Sequence, residues 1–413
     1  MGLRLLSDWY FTRKPEDKRI DDGTSLVITA GENIYSGTIM NHRECLQKIL
    51  TGQSTSWTPN YELGCWGQTV ERWFSEGLPQ DATYIGRIDM FEGEPYFRLD
   101  RRAFDRLDVG MHPPFDCEVL EETDRYLIAR HGNGIVTKAL KEGTVRGTRM
   151  SMDAYLSHPV IDRASWLDVR RRYDPKAVWR YPFWWDEMAR SWRNRDYPVV
   201  LLGNGTFGLY SQLRSWCGTE EISYMFYDQP ELVDEMLEFH TDFFLELVER
   251  ALHGVQYDYF NFFEDCAGKG GPLFGPQLFD RFFRRHYQRI IDRLQRAGIR
   301  SIWLDCDGDM EALIPCWTDV GVNMLWPLEQ ASGMDPVRLR KKFGKGLCLS
   351  GGIDKREIAK GPEAIERELR AKLPPLLEQG GYIPCVDHTA DPDISLDNMK
   401  YYLELKWKLM GRR

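Results

Sequence analysis

Nowhere in the 413 residues do 18 apolar residues run together, so no transmembrane helix is expected. The opening "MGLRLLSDWYF" has neither an apolar core nor a small-residue cleavage site, and it does not read as a secretory signal. Cysteine is unpatterned: the nine are odd in number, scattered and never spaced Cys-x-x-Cys. That argues against a disulfide framework or a structural zinc knuckle and makes the cytoplasm the expected compartment. Positive charge is outweighed, with 54 Lys and Arg against 63 Asp and Glu and a net charge of −9. Neither nucleic acid nor an anionic membrane is an expected partner. The basic runs "DVRRRYDP" and "RSWRNRDYP" read as solvated faces or as holders of a substrate carboxylate or phosphate. No repeat or low-complexity tract occurs.

What is present is a rhythm. "YPVVLLGNG" (197–205) reads as a buried strand, and "PELVDEMLEFHTDFFLELVERALH" (230–253) as a helix capped by Asp228. Its apolar stripe is Leu232, Val233, Met236, Leu237, Phe243, Phe244, Leu247 and Val248. Strands follow at 257–265, 301–308, 322–329 and 346–354 and at "YIPCVDH", with helices between and after them. Six strands alternating with helices predict a parallel sheet. The predicted fold is an α/β (β/α)8 barrel over residues 41–413, preceded by an extension over 1–40, with a doubly wound open sheet as the alternative. "YLIARHGNGIVTKALKEGT" (126–144) predicts a β-hairpin with a primed turn at "HGNG", inserted within about residues 115–150.

In such barrels the site lies at the carboxyl ends of the strands. The strands deliver there Asn204; Glu264 and Asp265; Asp305, Cys306, Asp307 and Asp309; Glu329; Gly351, Gly352 and Asp354; and Asp387 with His388. Asp309 and Asp354 read as helix caps. Asp305 and Asp307, two apart at a strand end, lean to one side of the sheet and repel. A divalent metal shared with His388, a shared proton, a pairing arginine or plain loop capping each resolves that. Glu264, behind an aromatic run, is a candidate acid, base or fourth ligand, or a salt-bridge partner. Asp265 and Asp387 are the other candidate catalytic carboxylates. Asn204, Glu329, Gly351 and Gly352 are candidate cofactor contacts. Cys306, flanked by carboxylates, is disfavoured as a thiolate and reads as packing. His240 reads as a core histidine, and His286 as a surface residue or helix contact.

The run "DCDGDMEALIPCWTDVGVNMLWPLEQASGMDPVRLRKKFGKGLCLSGGIDK", with "FNFFEDCAGKGGPLFGP" before it and "GGYIPCVDHTADPDISLDNMKYYLE" after it, resembles the uroporphyrinogen decarboxylase superfamily. The resemblance implies a (β/α)8 barrel and spans both decarboxylases and zinc-dependent methyltransferases that work with corrinoid proteins. The "RQAGRY"-like stretch of the decarboxylases is absent; the corresponding region reads "NHRECLQKILTGQSTSWTPNYELG". Methyltransferases carry His-x-Cys where this chain has Asp305-Cys306-Asp307, and a late Cys where it has His388. On that register Asp305, Asp307 and His388 hold zinc or another divalent metal, with harder donors than a thiolate set. The implied activity moves a methyl group from a small O- or N-methyl donor to a corrinoid protein. The alternatives are a decarboxylase of a tetrapyrrole or another acidic substrate, and a corrinoid- or tetrapyrrole-binding protein without turnover. A second copy of the chain is a further candidate partner.

Overall fold

The computed structural model describes residues 40–80, 95–145, 148–149, 152–202 and 207–412. Seven parallel strands form one curled sheet in the order in which they occur along the chain. They are β1 (Ala103–Phe104), β2 (Val199–Leu201), β3 (Tyr259–Phe263), β4 (Ile302–Asp305), β5 (Met324–Trp326), β6 (Cys348–Ser350) and β7 (Tyr382–Ile383). Four of them, β2, β5, β6 and β7, are buried along their whole length, as a sheet covered on both faces requires. The eighth position carries an extended segment, residues 58–65, without a ladder of its own. On one side Asn60 O accepts from Asp100 N at 2.9 Å. On the other, Gly64 O accepts from Ala390 N at 3.0 Å, and Cys65 bridges Ala390 in parallel. The two edges of the sheet are thus tied through one segment, and the predicted barrel is present.

Alternation along the strands sorts side chains between lumen and helix layer. Phe260, Phe262, Ile302 and Leu304 pack outward with the helices. Tyr259, Trp303, Met324 and Trp326 pack inward, on Cys45, Leu46, Ile49 and Leu50 of the helix His42–Leu50, which plugs one end. The same alternation carries Asn261 and Asp305 inward one step further along.

The helix Pro230–Gly254 buries every residue of its predicted stripe. Asp228 does not cap it: Asp228 ends the preceding helix, Thr219–Asp228, and Gln229 holds the cap position without a side-chain bond. The helix expected over 276–299 is interrupted by a π turn, Phe279–Phe283, inside a cluster of phenylalanines that also packs on Tyr287. The predicted hairpin exists, as Tyr126–Arg130 paired with Val136–Leu140, but it belongs to a four-stranded antiparallel sheet with Glu118–Glu122 and Ala154–Ser157. Its turn is not a primed one. Gly134 N bonds back to His131 O at 2.8 Å, and Gly134 alone in the loop takes positive φ, at 82°. That is the three-residue loop with a left-handed glycine at its end. No helix among the described residues is long and apolar enough to cross a membrane.

Candidate active site

The loops after β4, β5 and β7 bring Asp307, Glu329 and His388 together. One ligand atom of each lies within 4.8 Å of the other two, and this is the only such group of three among the described residues. His388 Nε2 stands 3.4 Å from Asp307 Oδ2. Donors about 2.0–2.2 Å from a tetrahedral metal lie roughly 3.4 Å apart, so this pair already has the spacing of two ligands. Glu329 is held in place: its Oε2 accepts from Gly308 N at 2.9 Å and from Ser332 Oγ at 3.3 Å. Burial lowers the His388 pKa, but the hydrogen bond and charge of Asp307 outweigh it, and the net shift is upward. Trp66 stacks against His388 at 6.4 Å between ring centroids. It stands where the closing segment runs into the helix Gly67–Ser75.

Asp305 is not part of that group, and Glu329 takes the place expected for it. The reason is register: Asp305 is the last residue of β4 and faces the lumen, whereas Asp307 lies beyond the strand, in the loop. Burial, reinforced by the negative charge of Asp307, pushes the Asp305 carboxyl well above its ordinary range. Asn261 and His388 pull it the other way. Asn261 is itself anchored, its Oδ1 accepting from Trp326 Nε1 at 2.8 Å.

The other expected site residues are engaged elsewhere. Glu264 is fully buried and does not join the metal-type group. Its carboxylate accepts from Leu209 N, from Ser211 N at 2.9 Å and from the Tyr287 hydroxyl, so it caps the helix Tyr210–Cys217 from the end of the neighbouring strand. Burial raises its pKa to about 7. Asp265 pairs with Arg214 at 2.6 Å. Asp387 spends both oxygens on backbone amides, Gln330 N at 2.9 Å and Lys355 N at 3.0 Å. Gly351 and Gly352 serve packing: a Cβ on Gly351 would lie 2.0 Å from Pro327 O, and one on Gly352 2.8 Å from the Pro336 ring. Asn204 lies outside the described residues.

Asp354 is the expected cap, accepting from Arg356 N, whereas Asp309 accepts from Glu311 N from one residue ahead of the cap position, which Met310 holds. Cys306 is buried, 3.7 Å from the Cys266 sulfur. His240 is buried among Phe207, Trp216 and Phe243. His286 makes a helix–helix contact to Thr241 Oγ1 at 2.9 Å. Trp66 escaped the sequence reading. It lies outside the regular strand–helix rhythm, and no local pattern marks it as facing a histidine 322 positions away.

No curated protein matches the chain. Among solved structures, a methyltransferase from Methanosarcina mazei superposes with a TM-score of 0.53 at 13% identity, over 89% of this chain and 99% of that one. At that identity the likeness concerns the fold. The family model described as uroporphyrinogen decarboxylase (URO-D) matches residues 151–406, well over half of the sequence and all of β2 to β7, and the chain belongs to that family.

Proposed function

We propose that the chain is a methyltransferase-like enzyme that removes a methyl group from a small O- or N-methylated donor for transfer to a corrinoid protein. The observation that carries this reading is the convergence of Asp307, Glu329 and His388 from three strand ends. Two carboxylates and an imidazole suit zinc or another divalent metal. Bound there, the metal supplies Lewis-acid polarisation of the atom that carries the methyl group. Departure of the methyl leaves an alkoxide or amide-type anion that must take up a proton. Asp305, whose carboxyl burial pushes above its ordinary range, is the group that would donate it. Trp66 walls one side of the site and limits water.

The methyltransferase fold-neighbour is consistent with this reading. A decarboxylase acting on a polyacid needs cations to hold its carboxylates. Two cations near this site are already engaged, Arg214 by Asp265 and Lys355 by Asp391. Metal content of protein purified without chelator or affinity tag is the test. About one metal per chain is expected, lost in Asp307→Ala and His388→Ala. A folded parent without metal would sink the reading and move the decarboxylase to first place.

A further inference from the structure

We infer that Asp387 is a positioning residue: one buried carboxylate that ties the ends of β5, β6 and β7 and so sets the spacing of Glu329 and His388. The inference rests on the metal reading above. Asp387 Oδ2 accepts from Gln330 N at 2.9 Å and Oδ1 from Lys355 N at 3.0 Å, while its own N donates to Ile353 O at 2.9 Å. Gln330 follows Glu329 directly, and His388 follows Asp387. Glu329 therefore leaves the backbone next to an amide that this carboxylate fixes, and His388 next to the residue that carries the carboxylate.

The support continues beneath. The buried ammonium of Lys372 donates to Gln330 Oε1 at 2.8 Å and to Gly352 O at 2.8 Å. Gln330 Nε2 in turn donates to Leu328 O at 3.0 Å and Met334 O at 2.9 Å. Gln330 is thus held at backbone and side chain, which leaves Glu329 little freedom to swing. Two amides converging on one side chain call for a group that only accepts, and an ionised carboxylate is that group. Asparagine keeps the shape but turns a donor toward one of the amides.

The test is zinc affinity of the full chain, measured by competition with a chelating dye. It compares the parent, Asp387→Asn and a control, Asp354→Asn, which disturbs the cap of the neighbouring helix Lys355–Ala359 and its pair with Arg356 but none of the bonds that Asp387 makes. Substitution of a group that orients metal ligands weakens binding by about 10- to 100-fold. That loss is expected for Asp387→Asn with unchanged circular dichroism, and a loss of less than about threefold is expected for Asp354→Asn. A merely structural role would lower the melting temperature in both variants without separating their affinities. Affinity within about twofold of the parent for Asp387→Asn overturns the inference and leaves the metal reading standing. A parent that binds no zinc overturns both. If Asp387→Asn does not fold, Gln330→Ala removes the side-chain half of the same support. It is expected to weaken zinc several-fold, and unchanged affinity there overturns the inference.

Discussion

Carboxylates at the strand ends of this barrel meet different fates, and the surroundings of each decide which. Asp307 and Glu329 each bring one oxygen within 4.8 Å of a ring nitrogen of His388. Asp305 faces the lumen, and burial with the charge of Asp307 pushes its carboxyl above the ordinary range. Glu264 and Asp387 give their oxygens to backbone amides. The list of candidates was readable from strand ends alone. Their division was not, because it depends on which amides and charges arrive from other strands and helices. Glu264 offers a direct check. Its folded pKa of about 7 lies above the ordinary value of 4.5, so its protonated form stabilises the fold. That contribution is complete below pH 4.5 and disappears as pH rises through about 7. Glu264→Gln cannot titrate, so the melting temperature of the parent is expected to fall relative to the variant between pH 5 and 8. A constant difference across that range would rule the assignment out.

At the level of elements, the strand–helix alternation was legible because each unit carries its own period and its own caps. Most of the core strands proved shorter than their apolar runs: "YPVVLLGNG" yields the three paired residues Val199–Leu201. Apolar runs mark burial, which continues into the loops, whereas pairing stops where the loops diverge. The hairpin was legible in its strands and misread in its turn. Asn133-Gly134 satisfies either turn type, and only the backbone shows Gly134 alone at positive φ. Gly351 illustrates a tighter constraint. It follows β6 directly with φ at 94°, and its Cα faces Pro327 O at a distance that admits no Cβ. Gly351→Ala is expected to cost about 3 kcal/mol or more, from strained backbone and overlap together, read by chemical denaturation. A variant as stable as the parent would show that the β5 and β6 ends do not approach so closely.

The whole molecule depends on a seam that no local pattern announces. Residues 58–65 complete the ring between β1 and the end of β7, and Glu62 within them is buried with Lys406 of the helix Leu396–Leu409. Tyr402 also donates to Glu62 at 2.8 Å, and Val386 N donates to its other oxygen at 2.9 Å. Removing one partner of a buried pair strands the other. Lys406→Met is therefore expected to destabilise by about 3–5 kcal/mol, with partial recovery on adding Glu62→Gln. Urea denaturation of the single and double variants reads this; a single variant within about 1 kcal/mol of the parent would show that the seam is held by other contacts.

The seam also has a meaning in time. Glu62 and Lys406 are 344 positions apart, and Trp66 and His388 face one another across the same joint. Contacts so distant in sequence form late, because the loop they close must first be ordered. The strands between can stack on one another as the chain emerges, but the wall of the site is raised only when its two ends meet. The wall that Trp66 and His388 form is therefore expected only in the finished chain, once the two ends have met.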